Sequence, residues 1–291
     1  MRKRFIAVIA FVSAGLFIVG CSNSSGFKAD SEIAVVSRED GSGTRGTFVE
    51  LTGIEVQTAD GMKDDRTTVE AMIANSTNFV MTTIAQNPSA IGYISLGSLN
   101  ETVKALLIDD VKISVERISG GDYRIARPFI IAYRGELSAA AQDFLTFTLS
   151  SPGQAVVAEA KYVPVSEGEY TSASDIAGKI VIGGSSSITP IMEKLREAYL
   201  VLNPRAEIEI QQSDSTTGLL NVIEGIVDFG MVSRELNDSE RAVLTPVVIA
   251  RDGIAIIVNN ANPADSLALE TIEAIFTGQI LNWDDVGSER Q

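Results

Sequence analysis

The 291-residue sequence contains no histidine, one cysteine and one tryptophan. Without histidine the chain cannot build a Ser-His-Asp or Cys-His nucleophile system, and it has no imidazole ligand for a metal. The lone Cys21 can form neither an intramolecular disulfide nor a cysteine-rich zinc or iron-sulfur site. These absences exclude many hydrolases and metalloproteins. Hydroxyls, carboxylates, arginines, lysines and backbone amides remain for chemistry, and we expect no cofactor and no bound metal.

Basic side chains are also scarce, because 23 lysines and arginines stand against 38 aspartates and glutamates, a formal net charge of −15. A field of this sign argues against nucleic acid and against docking on anionic lipid head groups. It does not exclude a small anion, since exposed charges farther away than roughly 8–10 Å are screened at physiological salt. The composition, 45% hydrophobic and 21% charged, is that of a globular fold.

Residues 1–20 differ from the rest of the chain. A basic start, Arg2-Lys3-Arg4, precedes an apolar run from Phe5 to Val19. That run is about 15 residues, shorter than the roughly 20 that a membrane-spanning helix needs, so an export signal is favoured over a permanent anchor. It ends in Ile18-Val19-Gly20-Cys21, which resembles a lipobox. We therefore predict a lipid on Cys21 after cleavage, a polar tether over 21–31, and anchoring to the extracytoplasmic face of the cell membrane.

Strand-like and helix-like segments alternate along the remainder of the chain. The strand candidates are 33–37, 91–96, 103–108, 128–133, 179–182, 206–212, 228–232 and 254–258. The helix candidates are 44–51, 138–150, 190–199 and 269–276, with a further helix that ends at Glu224. Repeated units of strand, small-residue turn and helix predict an α/β fold with mainly parallel sheets. The polar stretch 166–175 lacks periodicity and is typical of a linker or of a join between two pieces.

Three turns place hydroxyls where a strand ends and a helix begins: 40–45, 184–188 and 213–217. The first N–H groups of a helix have no internal partner and the helix dipole is positive there, so each turn could bind an oxyanion. The alternative is that Ser, Thr and Asp simply cap these helices. Arg38 and Arg234 both follow a strand within the tetrapeptide Val-Ser-Arg-Glu, and each could offer a forked donor to an oxyanion. The alternative for each arginine is a surface ion pair with its neighbouring glutamate.

Several segments carry a resemblance to a known family: 37–48, 91–94, 183–190, 227–235, 252–255, 276–278 and 282–283. Together they resemble the phosphate-binding lipoproteins of Pst-type ABC transporters, which are two-lobed solute-binding proteins. The order of the segments is changed, because the segment 37–48 opens the mature chain here instead of following 282–283. The chain therefore resembles the circularly permuted form found in some Gram-positive bacteria.

This resemblance implies a type II periplasmic-binding-protein fold. It implies one composite lobe, 32–92 plus 254–291, and one continuous lobe, 93–253. Inorganic phosphate would bind between the lobes and pass to a Pst-type permease and its ATPase complex, with the binding protein acting as a monomer. The implied ligands are Arg38, Ser42, Gly43 and Thr44 from the composite lobe and Ser187, Ile188, Ser215 and Arg234 from the continuous lobe.

Position 234 departs from the family pattern. Many members carry an aspartate there that can accept the proton of monohydrogen phosphate, and arginine cannot accept one. Asp40 is the candidate replacement, because it lies two residues before Ser42 in the first turn. Orienting Arg38 and capping the turn are its alternative roles.

Two other functions compete with solute binding. An enzyme would hydrolyse phosphate esters with Ser42 or Ser187 as nucleophile and would release product from a chromogenic ester. The absence of a histidine base makes that hypothesis the weaker one. A surface adhesin or signalling lipoprotein would show no stabilisation by any small anion. We therefore expect a binding protein rather than an enzyme.

Overall fold

The computed structural model describes residues 26–171 and 176–286. The predicted leader and Cys21 lie outside the described residues. The strands are β1 Ala34–Arg38, β2 Glu55–Gln57, β3 Lys63–Asp65, β4 Met72–Ala74, β5 Ala90–Ser95, β6 Lys104–Ala105, β7 Leu107–Ile108, β8 Ala126–Tyr133, β9 Gly178–Ser185, β10 Ala206–Ser213, β11 Phe229–Val232, β12 Thr245–Val258 and β13 Ser266–Leu267. The helices are α1 Gly43–Leu51, α2 Thr77–Gln86, α3 Val115–Gly120, α4 Ala139–Thr148, α5 Ser151–Glu159, α6 Thr189–Leu202, α7 Ser215–Ile223, α8 Asp238–Arg241 and α9 Leu269–Phe276.

One nine-stranded sheet organises the chain, in the order β10-β9-β11-β8-β12-β5-β1-β4 with β6 against β12. Pairing is parallel between β9 and each of its neighbours β10 and β11, and between β1 and its neighbours β4 and β5. The pairs in the middle, between β8 and β11, β8 and β12, and β12 and β5, are antiparallel. Helices follow the parallel strands, as strand–helix–strand crossovers require. The predicted α/β fold with parallel strand pairs is confirmed.

The 14-residue strand β12 joins two hydrophobic cores. Residues 245–253 pair with β8, and from Ile254 onward the strand pairs with β5. One core runs from Ile33 to Ile125 and from Ile254 to Trp283, with Val163 at the junction. The other is formed by two hydrophobic clusters, one on each face of the sheet around β8 and β11, with residues between Phe129 and Ala250. We call the parts built on these cores the composite lobe and the continuous lobe.

The cores divide the chain differently from the predicted lobes at one of the two crossings. The second crossing lies at 253–254, where β12 changes partner. The family resemblance predicts the first crossing at 92–93, yet Leu96, Leu106, Ile118 and Ile125 are buried in the core of the composite lobe. The reason is that β6 pairs with the composite-lobe end of β12, which keeps residues 93–125 on that side. The first crossing by this criterion falls between 125 and 129.

The predicted helix boundaries agree best with the structure where a hydroxyl side chain caps the helix and apolar residues at helical spacing follow it. The helix expected over 138–150 is present as α4, but a second helix, α5, follows at once and was not predicted, because Pro152 occupies the first turn of α5 rather than marking the end of helical structure. Sequence patterns also missed α2, which begins after the cap Ser76. Residues 166–171 pack within the continuous lobe, where the Gly168 carbonyl accepts the Ser151 N–H at 2.7 Å. None of the helices in the described residues combines the length and the apolar character that spanning a membrane requires.

Candidate functional site

The candidate site lies between the two lobes, at the carboxyl ends of β1, β9, β10 and β11. Four helices begin here: α1 and α2 in the composite lobe, α6 and α7 in the continuous lobe. The first turn of an α-helix has N–H groups without intrahelical acceptors and a positive dipole end. The turns after β1, β4, β9 and β10 therefore bring four such ends towards one point. This is an arrangement that favours a bound oxyanion.

Hydroxyl groups from both lobes meet at this point. Thr44 Oγ1 and Ser187 Oγ lie 2.8 Å apart, and each side chain is buried. Thr77 Oγ1 lies 3.3 Å from the same Ser187 hydroxyl, and the Thr77 N–H donates to Ser186 Oγ at 3.3 Å. The Thr216 N–H of the continuous lobe donates to the Gly41 carbonyl of the composite lobe at 3.2 Å. The two lobes are thus in direct polar contact in this structure.

Arg38 supplies the positive charge of the cluster. Arg38 is only 2% exposed, and its Nη2 donates to Ser186 Oγ of the continuous lobe at 3.1 Å. The Glu39 carboxylate accepts from Nε at 2.8 Å and from Nη2 at 2.7 Å. This two-pronged pair fixes the plane of the guanidinium and neutralises part of its charge. The Arg38 backbone N–H donates to the Tyr93 hydroxyl at 3.0 Å, and burial raises the pKa of that phenol.

Ser215 and Gly43 form the other side of the cluster. The Ser233 N–H donates to Ser215 Oγ at 3.1 Å, and Ser233 Oγ lies 3.0 Å from Ser185 Oγ. Gly43 packs so closely here that a Cβ would lie 2.6 Å from Ser215 Oγ and 2.8 Å from Ser233 Oγ. Only a residue without a side chain allows helix α1 to approach the continuous lobe to this distance.

Ser42 and Ile188 play structural roles in the turns that carry them. Ser42 caps α1, since its hydroxyl accepts the Arg45 N–H at 3.3 Å. The Ile188 N–H donates to the Ser185 carbonyl at 3.0 Å and closes the turn before α6. Asp214 caps α7 by accepting from the Thr217 N–H at 2.9 Å. Capping and convergence on one point therefore occur in the same turns.

Two of the predicted site residues form their ion pairs outside the buried hydroxyl cluster, although Arg234 Nη2 also lies 3.5 Å from Thr216 Oγ1. Both terminal nitrogens of Arg234 donate to the Glu240 carboxylate at 2.8 Å. Burial is the largest single influence and opposes ionisation of Glu240, but the hydrogen bonds from Arg234 and the Asn237 N–H, together with the charges of Arg234 and Arg241, hold the pKa of Glu240 below its usual value. The Asp40 side chain is 94% exposed and pairs with Arg45 at 2.6 Å. Its carboxylate lies in solvent, so the structure gives Asp40 no contact with the buried hydroxyls, and Glu39 rather than Asp40 orients Arg38.

Sequence reasoning missed several members of the cluster. Thr77 and Ser233 are buried in it, and so are Ser185 and Ser186, which belong to the hydroxyl-rich turn 184–188. Thr77 could have been found from Ser76, a capping residue that precedes a helix. Ser233 gave no signal of its own, because a serine after a buried strand is common in any fold.

A buried ion pair lies directly behind the cluster. Arg127 and Asp252 have fully buried side chains, and Arg127 Nη2 donates to Asp252 Oδ2 at 3.0 Å. Burial raises the pKa of Asp252 to about 6, although Arg127 and the Ser95 hydroxyl favour its ionised form. Burial also lowers the pKa of Arg127. In the sequence, Arg127 is a single arginine between the apolar residues Ile125 and Phe129, a pattern that can indicate a buried charge. The predicted strand begins at Pro128 and therefore does not include Arg127.

The chemistry of this cluster is that of a binding site for a tetrahedral oxyanion. It combines several hydroxyl groups, one buried guanidinium and the N-terminal turns of α1, α2, α6 and α7. Over residues 26–171 and 176–286 there is no group of three or more acidic or cysteine side chains that could hold a metal ion. The hydroxyl, guanidinium and backbone N–H donors of the cluster suit an anion that binds to them without an intervening metal ion.

Comparison with known proteins agrees with this chemistry. The chain matches the family model of the PBP superfamily domain over residues 22–152 and 169–291. Fold and site together therefore define a solute-binding protein of the periplasmic-binding-protein class. The chain is 45% identical over 283 residues to phosphate-binding protein PstS 2 of Streptococcus agalactiae serotype V, covering 97% of this chain and 96% of that protein. It is 42% identical over 289 residues to phosphate-binding protein PstS 2 of Streptococcus pneumoniae serotype 4, covering 98% and 99%.

A solved structure of a phosphate-binding protein is also similar to this chain in sequence and in fold. The crystal structure of a phosphate-binding protein of a phosphate ABC transporter from Streptococcus pneumoniae TIGR4 is 44% identical. It superposes with a TM-score of 0.69 over 88% of this chain and 100% of that chain. The chain belongs to the PstS family of phosphate-binding proteins. The resemblance identified from the sequence segments is confirmed.

Proposed function

We propose that this protein captures inorganic phosphate between its two lobes outside the cytoplasm and delivers it to a Pst-type permease driven by an ATPase complex. The observation that carries the proposal is the buried set of hydroxyls around Arg38, to which both lobes contribute. A site shared by two lobes lets the ligand stabilise their closed arrangement. Relatives that are 42–45% identical over nearly the whole chain are named for phosphate binding.

The proposed ligands are the groups that meet at the cluster. Arg38 provides charge, and the hydroxyls of Thr44, Ser187 and Ser215 provide hydrogen bonds. Ser42, Gly43 and Ile188 shape the turns, and Gly43 contributes an N–H in the first turn of α1. Thr77 and Ser186 join the proposed set, whereas Arg234 and Asp40 leave it. In a water-poor cleft each of these hydrogen bonds is stronger than at the surface.

Binding without turnover is the other part of the proposal. The buried serines contact hydroxyls and an arginine, and neither Ser42 nor Ser187 has a carboxylate hydrogen bonded to its hydroxyl in the described residues that could act as a base. Such a site binds an anion through fixed donors but does not activate a nucleophile. A chromogenic phosphate monoester should accordingly remain intact in the presence of the protein.

Titration calorimetry on phosphate-stripped protein tests the proposal. We expect one phosphate bound per chain. A fixed acceptor in this dry site would also make sulfate, which carries no proton at neutral pH, the weaker ligand by about 1–3 kcal/mol, or roughly 5- to 150-fold. Asp40→Asn should leave both affinities within about twofold of the wild type, since exposed substitutions usually act by less than about 0.5 kcal/mol. Absence of phosphate binding would refute the proposed function, and equal affinities would show a general oxyanion site.

The membrane anchor is a separate proposal that rests on Cys21 alone, and Cys21 lies outside the described residues. Cys21→Ala should abolish lipid attachment, so detergent-phase partitioning of the expressed protein should fall to background. Ser24→Ala, three residues further along in the tether, is the matched control and should partition like the wild type. A Cys21→Ala protein that still enters the detergent phase as strongly as the wild type would contradict the lipid anchor.

A further inference from the structure

Asp252 occupies the point at which β12 leaves one lobe and enters the other. In the strand register Asp252 stands opposite Arg127 of β8, and two residues later Ile254 stands opposite Ser95 of β5. Its Oδ1 accepts from the Ser95 hydroxyl at 3.0 Å, and its carboxylate also accepts from the Leu96 N–H. Its Oδ2 accepts from Arg127 at 3.0 Å and 3.3 Å. One carboxylate therefore connects the end of β5 in the composite lobe to the start of β8 in the continuous lobe.

Arg127 extends this connection to the anion site. Its Nη1 donates to the Ser233 carbonyl at 3.2 Å. The N–H of the same Ser233 donates to Ser215 Oγ, and its hydroxyl lies 3.0 Å from Ser185 Oγ. A continuous chain of hydrogen bonds thus runs from the lobe junction to two hydroxyls of the cluster, and every side chain in it is buried.

We propose that Arg127 and Asp252 are positioning residues for the anion site, which hold the Ser233 turn, and through it the Ser215 hydroxyl, in register with the composite lobe. The proposal rests on the proposed function, because it concerns binding at that same site. Neither residue needs to touch the ligand. A buried ion pair contributes little stability relative to an apolar pair of similar volume. A guanidinium does supply a geometry that an apolar side chain lacks, since it reaches a carboxylate and a carbonyl at once.

The test compares two doubly substituted proteins. Arg127→Met with Asp252→Asn removes both charges and the donor to Ser233, without leaving either charge buried alone. Arg117→Met with Asp122→Asn is the matched control, because that pair is also an arginine and an aspartate 2.8 Å apart but is more than half exposed. Inorganic phosphate is the probe, and circular dichroism confirms folding. We expect at least a roughly fivefold loss of phosphate affinity in the first protein and none in the control.

A double-mutant cycle with Ser215→Ala distinguishes positioning from a general structural effect. If Arg127 acts through Ser233 and Ser215, the fold-losses of the buried-pair variant and Ser215→Ala should combine to less than their product, because both remove the same contribution. Multiplying losses would overturn the proposal, as would unchanged affinity in the folded buried-pair variant. Wild-type protein that binds no phosphate would overturn the proposed function and this proposal together.

Arg127→Lys separates geometry from charge and decides the question if the double variant does not fold. Lysine keeps the positive charge beside Asp252 but has one terminal nitrogen, so it cannot reproduce the fork that reaches both Asp252 and the Ser233 carbonyl. We expect a loss of about threefold or more in phosphate affinity from this substitution. Wild-type affinity in Arg127→Lys would show that only charge matters and would overturn the positioning role.

Discussion

Replacing Arg38 with methionine is expected to weaken phosphate binding by about 1.5–3 kcal/mol, or roughly 10- to 150-fold, the contribution of a hydrogen bond to a charged group. The loss should lie at the upper end, because Glu39 would then keep its negative charge beside the anion without the guanidinium that neutralises it. Calorimetric titration with phosphate measures the change. Methionine has a similar length and fills the buried space, so the folded protein should persist.

The matched control for this experiment is Arg117→Met. Arg117 also pairs with a carboxylate, that of Asp122, but its side chain is 57% exposed, compared with 3% for Arg38. It should bind phosphate like the wild type. If Arg38→Met bound phosphate within twofold of this control, the anion would not be held by the guanidinium and the site would have to lie elsewhere.

Replacing Gly43 with alanine is expected to oppose closure of the two lobes. The new Cβ would lie 2.6 Å from Ser215 Oγ and 3.0 Å from the Ser233 carbonyl carbon, both in the continuous lobe. Overpacking of this kind costs about 1–3 kcal/mol, which corresponds to roughly 5- to 150-fold in phosphate affinity if the cost is borne by the closed state. Thermal unfolding should change little, because each lobe keeps its own core.

Gly46→Ala provides the control within the same helix. A Cβ at this position would meet only Arg234 Cδ, at 3.8 Å, which is an ordinary contact. Alanine is also the better helix former by about 1 kcal/mol. Gly46→Ala should therefore bind phosphate normally and be at least as stable as the wild type. Equal phosphate affinity in the Gly43→Ala and Gly46→Ala proteins would refute the tight approach at Gly43.

Local sequence patterns predicted the helices that begin in hydroxyl-rich turns. The caps Ser42 and Asp214 and the apolar spacing after them act within one turn of chain, so they are readable without tertiary information. The pattern failed at Pro152, because proline in a first helical turn and proline that ends a helix look alike in sequence. It also failed for the first half of β12, where the apolar run 247–250 is short and is followed by the charged residues Arg251 and Asp252.

The two Val-Ser-Arg-Glu tetrapeptides show the limit of local reasoning most clearly. Both follow a strand, yet Arg38 is buried between the lobes and Arg234 pairs with Glu240, six residues further along the chain. The difference arises from what each strand end faces. The end of β1 faces the continuous lobe and its Ser186, whereas the Arg234 side chain reaches α8, whose capping box includes Glu240. No property of the tetrapeptide itself contains that information.

The sequence alone determined the class of chemistry, the α/β alternation, the family, and the turns after β1, β9 and β10 that carry most of the hydroxyls. It could do so because residue types and capping patterns are local properties of the chain. The tertiary structure alone decided which groups converge, namely Arg38 and Thr77, which each contact Ser186, and the Arg127–Asp252 pair behind Ser233. These contacts join residues that lie more than 100 positions apart, and their geometry depends on how β12 connects two separately packed cores.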